Sequence, residues 1–92
     1  MRWNKFPKTW HDGAWEEYLS WQERDKKKLK KINNLLKDIT RNGYNCAAQL
    51  EPLKGDLAGF YSVHIDKKNR IVFMVTGDVV EILQCGSHYG EK

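Results

Sequence analysis

The sequence is poor in residues that staple or interrupt a chain. Among 92 residues there are two cysteines, Cys46 and Cys85, and two prolines, Pro7 and Pro52. The cysteines have no close partner and no metal-ligand spacing, so neither a disulfide framework nor a zinc site is expected, and reduced cytoplasmic thiols are. No glycine-rich phosphate loop occurs, which sets aside the P-loop and dinucleotide-binding classes. No apolar run approaches the ~20 residues that a bilayer crossing requires, and the first residues lack the charged-then-apolar layout of a secretory signal. A soluble protein with no membrane partner is expected. Repeats and low-complexity linkers are missing too.

What is present suits one core. Apolar residues make up 40% of the chain and aromatics 12%, including Trp3, Trp10, Trp15 and Trp21. A chain of this length supports a single hydrophobic core, so one domain over residues 1–92 is predicted. The net charge is +4, unevenly spread. Arg24 to Arg41 holds eight basic residues against Asp25 and Asp38, a balance of +6, and the rest of the chain sums to −2. A lysine-rich helix face is by default solvated surface; the alternative is an electrostatic footprint for phosphates or an acidic partner.

Residues 2–10 read as a first strand through Asn4, Phe6, Lys8 and Trp10, with Pro7 pushing it toward an edge or a bulge. Asp12 reads as an N-cap, followed by Ala14, Trp15, Tyr18, Leu19 and Trp21 at helical spacing to about Arg24. Trp15, Tyr18 and Trp21 are assigned to the core, and His11 to solvated helix entry. Asp25 is placed to cap a second helix with an apolar stripe of Leu29, Ile32, Leu35, Leu36 and Ile39, ending at Arg41 and Gly43. With almost no linker, the two helices must turn back as an antiparallel pair.

A loop from Asn42 to about Asp56 leads to three strands, Phe60 to Asp66, Arg70 to Thr76 and Val79 to Ser87, joined by turn chemistry at 66–69 and at Gly77-Asp78. The predicted architecture is an α+β two-layer fold: a strand, a helix pair and a three-strand antiparallel meander, with the helices on one sheet face. Strand alternation sets Tyr61, Val63 and Ile65 against Ser62 and His64, and Ile71, Phe73 and Val75 against Arg70, Val72 and Met74. In the last strand it sets Ile82, Gln84, Gly86 and His88 against Leu83, Cys85, Ser87 and Tyr89. The face away from the helices is expected to carry the site.

Glu51 and Lys54 in "EPLKGDLAGFYS", Arg70 at a strand start and His88 beyond the last apolar run supply a carboxylate, two cations and an imidazole. That set suffices to cut RNA without a metal or other cofactor. A base takes the ribose 2′-hydroxyl proton, cations hold the phosphate, and an acid protonates the leaving 5′-oxygen. Taken singly, each residue is ordinary loop or strand-end surface.

The blocks "AWEEYLSWQERDKK", "KKINNLLKDI", "EPLKGDLAGFYS", "NRIVFMV" and the closing "HY", in order over about residues 10–89, resemble the YoeB-type toxins of bacterial toxin–antitoxin pairs, a branch of the RelE-like ribosome-dependent mRNA endonucleases. The resemblance implies a RelE-like fold and an enzyme, an endoribonuclease that cuts message in the ribosomal decoding site and so inhibits translation. Its implied partners are a cognate antitoxin, ribosomal RNA and mRNA; a homodimer is left open, and the location is cytoplasmic. By position, Glu51 matches the general base, Lys54 the phosphate-contacting lysine, Arg70 the transition-state arginine, His88 the general acid and Tyr89 the terminal tyrosine.

In this frame Lys27, Lys28, Lys30 and Lys31 become candidate ribosome contacts. The family usually has paired arginines where this chain has Val63 and His64, so His64 is a substrate-binding candidate that supplies a cation only when protonated. The alternative reading is a catalytically weakened homologue that binds antitoxin, ribosome or operator DNA.

Overall fold

The computed structural model describes residues 6–87. Its elements run β1 (Lys8–Trp10), α1 (Asp12–Arg24), α2 (Lys26–Asn42), β2 (Glu51–Pro52), β3 (Tyr61–His64), β4 (Arg70–Thr76) and β5 (Val79–Ser87), with short 3-10 turns at Gly43–Asn45 and Gly55–Leu57. The expected first strand shortens to three residues, its predicted start lying partly outside the described chain.

One residue makes the helical hairpin. Asp25 is extended, and its carboxylate accepts from the backbone N–H of Lys27 and of Lys28, each at 3.1 Å, as predicted for a cap. Its own N–H bonds Trp21 O at 3.2 Å and its carbonyl accepts from Leu29 N at 2.9 Å, so it closes α1 and opens α2 at once. The chain then doubles back, bringing Tyr18 and Asn33 from either side of Asp25 into a 2.8 Å hydrogen bond. At the start of α1 the flanking residue is His11 rather than Asp12; Asp12 is the first helical residue, where its charge meets the positive end of the helix dipole. His11 is not simply solvated, because its Nε2 lies 2.7 Å from Glu81 Oε2.

The sheet has five strands in the order β1-β5-β4-β3-β2. β1 runs parallel to β5 and the other neighbours are antiparallel. The helix pair carries the chain from one edge strand, β1, to the other, β2. β2 is the element the sequence did not reveal: two residues show no periodicity, and Pro52, lacking an N–H, sits where an edge needs no donor. Pro7 plays the matching part at the far edge, where its carbonyl accepts from Val80 N at 2.9 Å.

β5 departs from strict alternation. Val72 pairs with Gln84 but Phe73 with Ile82, and Ile71 pairs with Cys85 but Arg70 with Ser87, so Leu83 and Gly86 are each skipped. These two bulges place Ile82 and Cys85 together in the core, correcting the assignment of Cys85 and Leu83 to one face. Helix α1 closes the gap. Cys85 N–H donates to Glu17 Oε1 at 2.7 Å, and Trp21 Nε1–H donates to Cys85 O at 3.1 Å. Gly86 has φ +118°, and a Cβ there would collide with the Trp21 indole.

The core between the layers joins Val63, Ile65, Ile71, Phe73, Val80, Ile82 and Cys85 to Ala14, Trp21, Ile32, Leu36 and Ile39. Each large apolar side chain buried there contributes roughly 1.5–3 kcal/mol of transfer free energy. Trp21 belongs to this core, Tyr18 packs at its edge, and Trp15 does not belong, being 43% exposed. Trp15 instead packs with Trp10 and Tyr18 at ring separations of 5.4 and 5.8 Å.

Candidate functional site

The candidate site lies on the sheet face turned from the helices, at the β2 side. Backbone register sets Glu51, Ser62, Val72 and Gln84 in one row across four strands, and His64, Arg70 and Ser87 in the next. Glu51 and Arg70 therefore stand on the two strands that flank β3, one row apart, and their long side chains meet across it. Arg70 Nη1 lies 2.8 Å from Glu51 Oε1 and 3.4 Å from Ser62 Oγ, and Ser62 Oγ lies 3.5 Å from the same carboxylate oxygen. His64 Nε2 stands 4.0 Å from it.

Burial makes the cluster asymmetric. The Arg70 side chain is 14% exposed and the Glu51 side chain 59%. The cation is thus mostly covered while the carboxylate reaches solvent. Beneath them Ser62 and Val72 are buried, so this face is not the uncovered surface that alternation alone suggested. Arg70, Ser62 and His64 all approach Oε1 of this carboxylate. A cleft of about 130 Å³ lined by Gln49, Glu51 and His64 opens beside it.

Of the predicted residues, the structure brings together Glu51, Arg70 and His64. Lys54 is exposed and makes no ion pair with the cluster among the described residues. His88 and Tyr89 lie outside the described residues; the described chain stops at Ser87, whose backbone pairs with Arg70. Val63 is fully buried in the core, so it offers nothing to a substrate. Ser62 was not singled out from the sequence; its signal was position, on the His64 side of β3 and opposite Glu51, visible only once the β2–β3 register is known.

Helix α2 presents Lys27, Lys30 and Lys31 to solvent, but Lys28 is committed within the fold. Its Nζ lies 2.6 Å from Asp66 Oδ2. That hydrogen bond, helped by Asn69 and the Lys68 N–H, holds the Asp66 carboxyl well below the usual carboxylate range. Cys85 is a buried free thiol pushed up to about 12, chiefly by desolvation and then by Glu17, so it is not a nucleophile. A larger cleft, about 540 Å³, lies away from the cluster between β1 and the helices, lined by residues including Trp10, Trp15 and Asn33. Among the described residues no helix is long and apolar enough to cross a membrane.

The arrangement offers a solvent-exposed carboxylate and an imidazole on one cleft, with a half-buried guanidinium bonded to the carboxylate. Comparison with known proteins gives this geometry its family. Residues 10–89 match the model of the YoeB-like toxin of bacterial type II toxin–antitoxin system. The chain is 44% identical over 80 residues to Toxin YoeB of Escherichia coli strain K12, covering 87% of this chain and 95% of that one. Among solved structures, a YoeB dimer from Staphylococcus aureus superposes with a TM-score of 0.80 at 40% identity, over 92% of this chain and 99% of that one. YoeB in a heterotetrameric YoeB-YefM toxin-antitoxin complex from the same organism does so with a TM-score of 0.79 at 40% identity, over 91% and 98%. The α+β architecture and these likenesses agree: the chain belongs to the YoeB-like toxins of bacterial type II toxin–antitoxin systems.

Proposed function

We propose that this toxin is a metal-independent endoribonuclease that cuts messenger RNA on the ribosome and is held inactive by a cognate antitoxin. The observation that carries the reading is the 2.8 Å contact between exposed Glu51 and half-buried Arg70 on one sheet face. Glu51 takes the proton of the ribose 2′-hydroxyl, and the 2′-oxygen attacks phosphorus. Arg70 leaves Glu51 for the phosphoryl oxygens as their charge grows, which also frees the carboxylate to act as a base. The bond to the 5′-oxygen breaks, and His88 gives that oxygen its proton. The products are a 2′,3′-cyclic phosphate and a 5′-hydroxyl end. Lys54 adds charge along the phosphate backbone, and Tyr89 positions or stacks on a base.

The ion pair in the free site is consistent with this sequence. Its stabilisation is modest, on the order of 1 kcal/mol, because Glu51 is largely wet. A scissile phosphate that binds Arg70 can therefore open it. Exposed Lys27, Lys30 and Lys31 suit contact with ribosomal RNA, whereas Lys28 supports the fold. The YoeB–YefM complex and the YoeB dimer of S. aureus suggest the same two associations for this chain, with an antitoxin and with itself, in the cytoplasm where ribosomes are.

One observation favours the second reading, a weakened homologue that acts by binding. Buried Val63 cannot replace a phosphate-contacting arginine, so one cation of the family site is missing. Programmed ribosomes separate the two. Message cleaved by wild type, and left intact by Glu51→Ala and His88→Gln, supports the nuclease. Intact message with wild type, alongside retained antitoxin or ribosome binding, supports the binder.

A further inference from the structure

His64 occupies a position that neither the core nor the turn requires. Its side chain is 52% exposed, and it stands across from Arg70 in the β3–β4 register, on the cleft it shares with Glu51 and Gln49. Two contacts define its chemistry. Nδ1 lies 3.2 Å from the backbone oxygen of Asp66, and a carbonyl only accepts, so Nδ1 carries a hydrogen. In the neutral ring Nε2 is then a bare acceptor, and it faces Glu51 Oε1, another acceptor, at 4.0 Å. Protonation of Nε2 turns this contact from repulsive to attractive.

The surrounding charges decide when that happens. The charged groups that stand nearest His64 are Glu51 on β2 and Arg70 on β4, of opposite sign. The Asp66 carboxylate in the β3–β4 turn is already engaged by Lys28 Nζ and by the backbone N–H groups of Lys68 and Asn69, which leaves its carbonyl as the part that meets His64. Lys67 and Lys68 in the same turn are exposed. Without substrate, Glu51 and Arg70 balance. A phosphodiester entering beside them adds one negative charge, and a proton on His64 Nε2 restores neutrality.

We propose that His64 is the second phosphate-gripping cation of this site, carrying its charge only when Nε2 is protonated, so that substrate binding takes up a proton at His64. The inference rests on the nuclease reading for its substrate, a single-stranded RNA phosphodiester, and its physical content is that linkage. A fixed arginine at this position grips at any pH, whereas His64 grips more tightly in acid. Nδ1 bonded to Asp66 O keeps the ring oriented in both states, so the change is one of charge rather than of position.

The test uses the full chain and a 2′-deoxy dinucleoside monophosphate, whose phosphodiester remains a monoanion across the range and cannot be cut by 2′-attack. Its binding to wild type, His64→Arg and His64→Gln is followed by NMR at about pH 5.5 and about pH 8, with circular dichroism to verify folding. Wild type should bind like His64→Arg in acid and like His64→Gln in base, with roughly a tenfold loss between them, the ratio that corresponds to one pH unit of linkage. Wild type tracking His64→Gln at both values overturns the inference, as does His64→Arg binding no tighter than His64→Gln. Because the probe cannot be cleaved, an intact linkage alongside failure to cut message on ribosomes refutes the nuclease reading and upholds the assignment of His64.

Discussion

Replacing Gly86 by alanine tests how β5 reaches the site. The backbone there has φ +118°, a conformation that L side chains rarely adopt, and forcing one costs about 1–3 kcal/mol. The new methyl also collides with Trp21, whose indole must withdraw. Withdrawal breaks the 3.1 Å bond to Cys85 O, worth about 1 kcal/mol, and disturbs the packing of a core tryptophan. The combined loss is about 4 kcal/mol, a large part of the ~5–14 kcal/mol expected for a chain of this size. Urea denaturation followed by circular dichroism should show the midpoint falling by roughly 2–4 M for a slope of ~1–2 kcal/mol per molar. Gly13→Ala is the control: it lies in α1 with nothing within 4 Å of the added Cβ, and should be neutral or mildly stabilising. A Gly86→Ala midpoint within about 0.5 M of wild type refutes the view that the second bulge and the Trp21 contact hold the strand end.

Asp66→Ala should cost about 2 kcal/mol at neutral pH through loss of the Lys28, Lys68 and Asn69 hydrogen bonds. The folded carboxyl titrates below its unfolded value of ~3.9, so this stability is complete above about pH 5 and is lost as pH falls toward the folded value. Urea midpoints for wild type and variant should converge in acid; a gap that stays constant contradicts the assignment. Cys85 should resist thiol reagents in native protein and react on unfolding, so rapid native labelling of Cys85, distinguished from Cys46 by mass spectrometry, counts against its burial. If His88 is the proton donor, single-turnover cleavage should slow as pH rises and the imidazole loses its proton, and a flat profile between about pH 6 and 9 removes it from that role.

The parts of the fold legible in the sequence are those with strong local signals. Asp25 marked the helix junction because a carboxylate before a lysine-rich amphipathic run has few other uses, and β4 and the Gly77-Asp78 hairpin were plain from apolar runs around turn residues. β2 was hidden because Glu51-Pro52 has strand character only through its pairing with β3. The bulges at Leu83 and Gly86 were hidden because period-2 alternation has no means of skipping a residue; their cause lies in α1, where Glu17 and Trp21 satisfy the Cys85 backbone. Trp15 was assigned to the core on helical spacing, which gives a residue's face but not whether anything covers it. Glu51 and Arg70 were singled out from the company they keep. Their contact, and the places of Ser62 and His64 beside it, depend on register between strands distant in sequence, which no local pattern carries.

The claim that Glu51 and Arg70 form one unit for attack by a ribose 2′-hydroxyl is tested most directly on a ribosome-bound message with a single 2′-deoxy nucleotide at the cleavage position. The account predicts that wild type cuts the all-ribose message to a 2′,3′-cyclic phosphate end, spares the substituted one, and loses at least a hundredfold in rate with either Glu51→Ala or Arg70→Ala, on the order of the ~10²–10⁴ that positioned acid–base groups supply. Cleavage of the deoxy-substituted message at the same position and rate contradicts it.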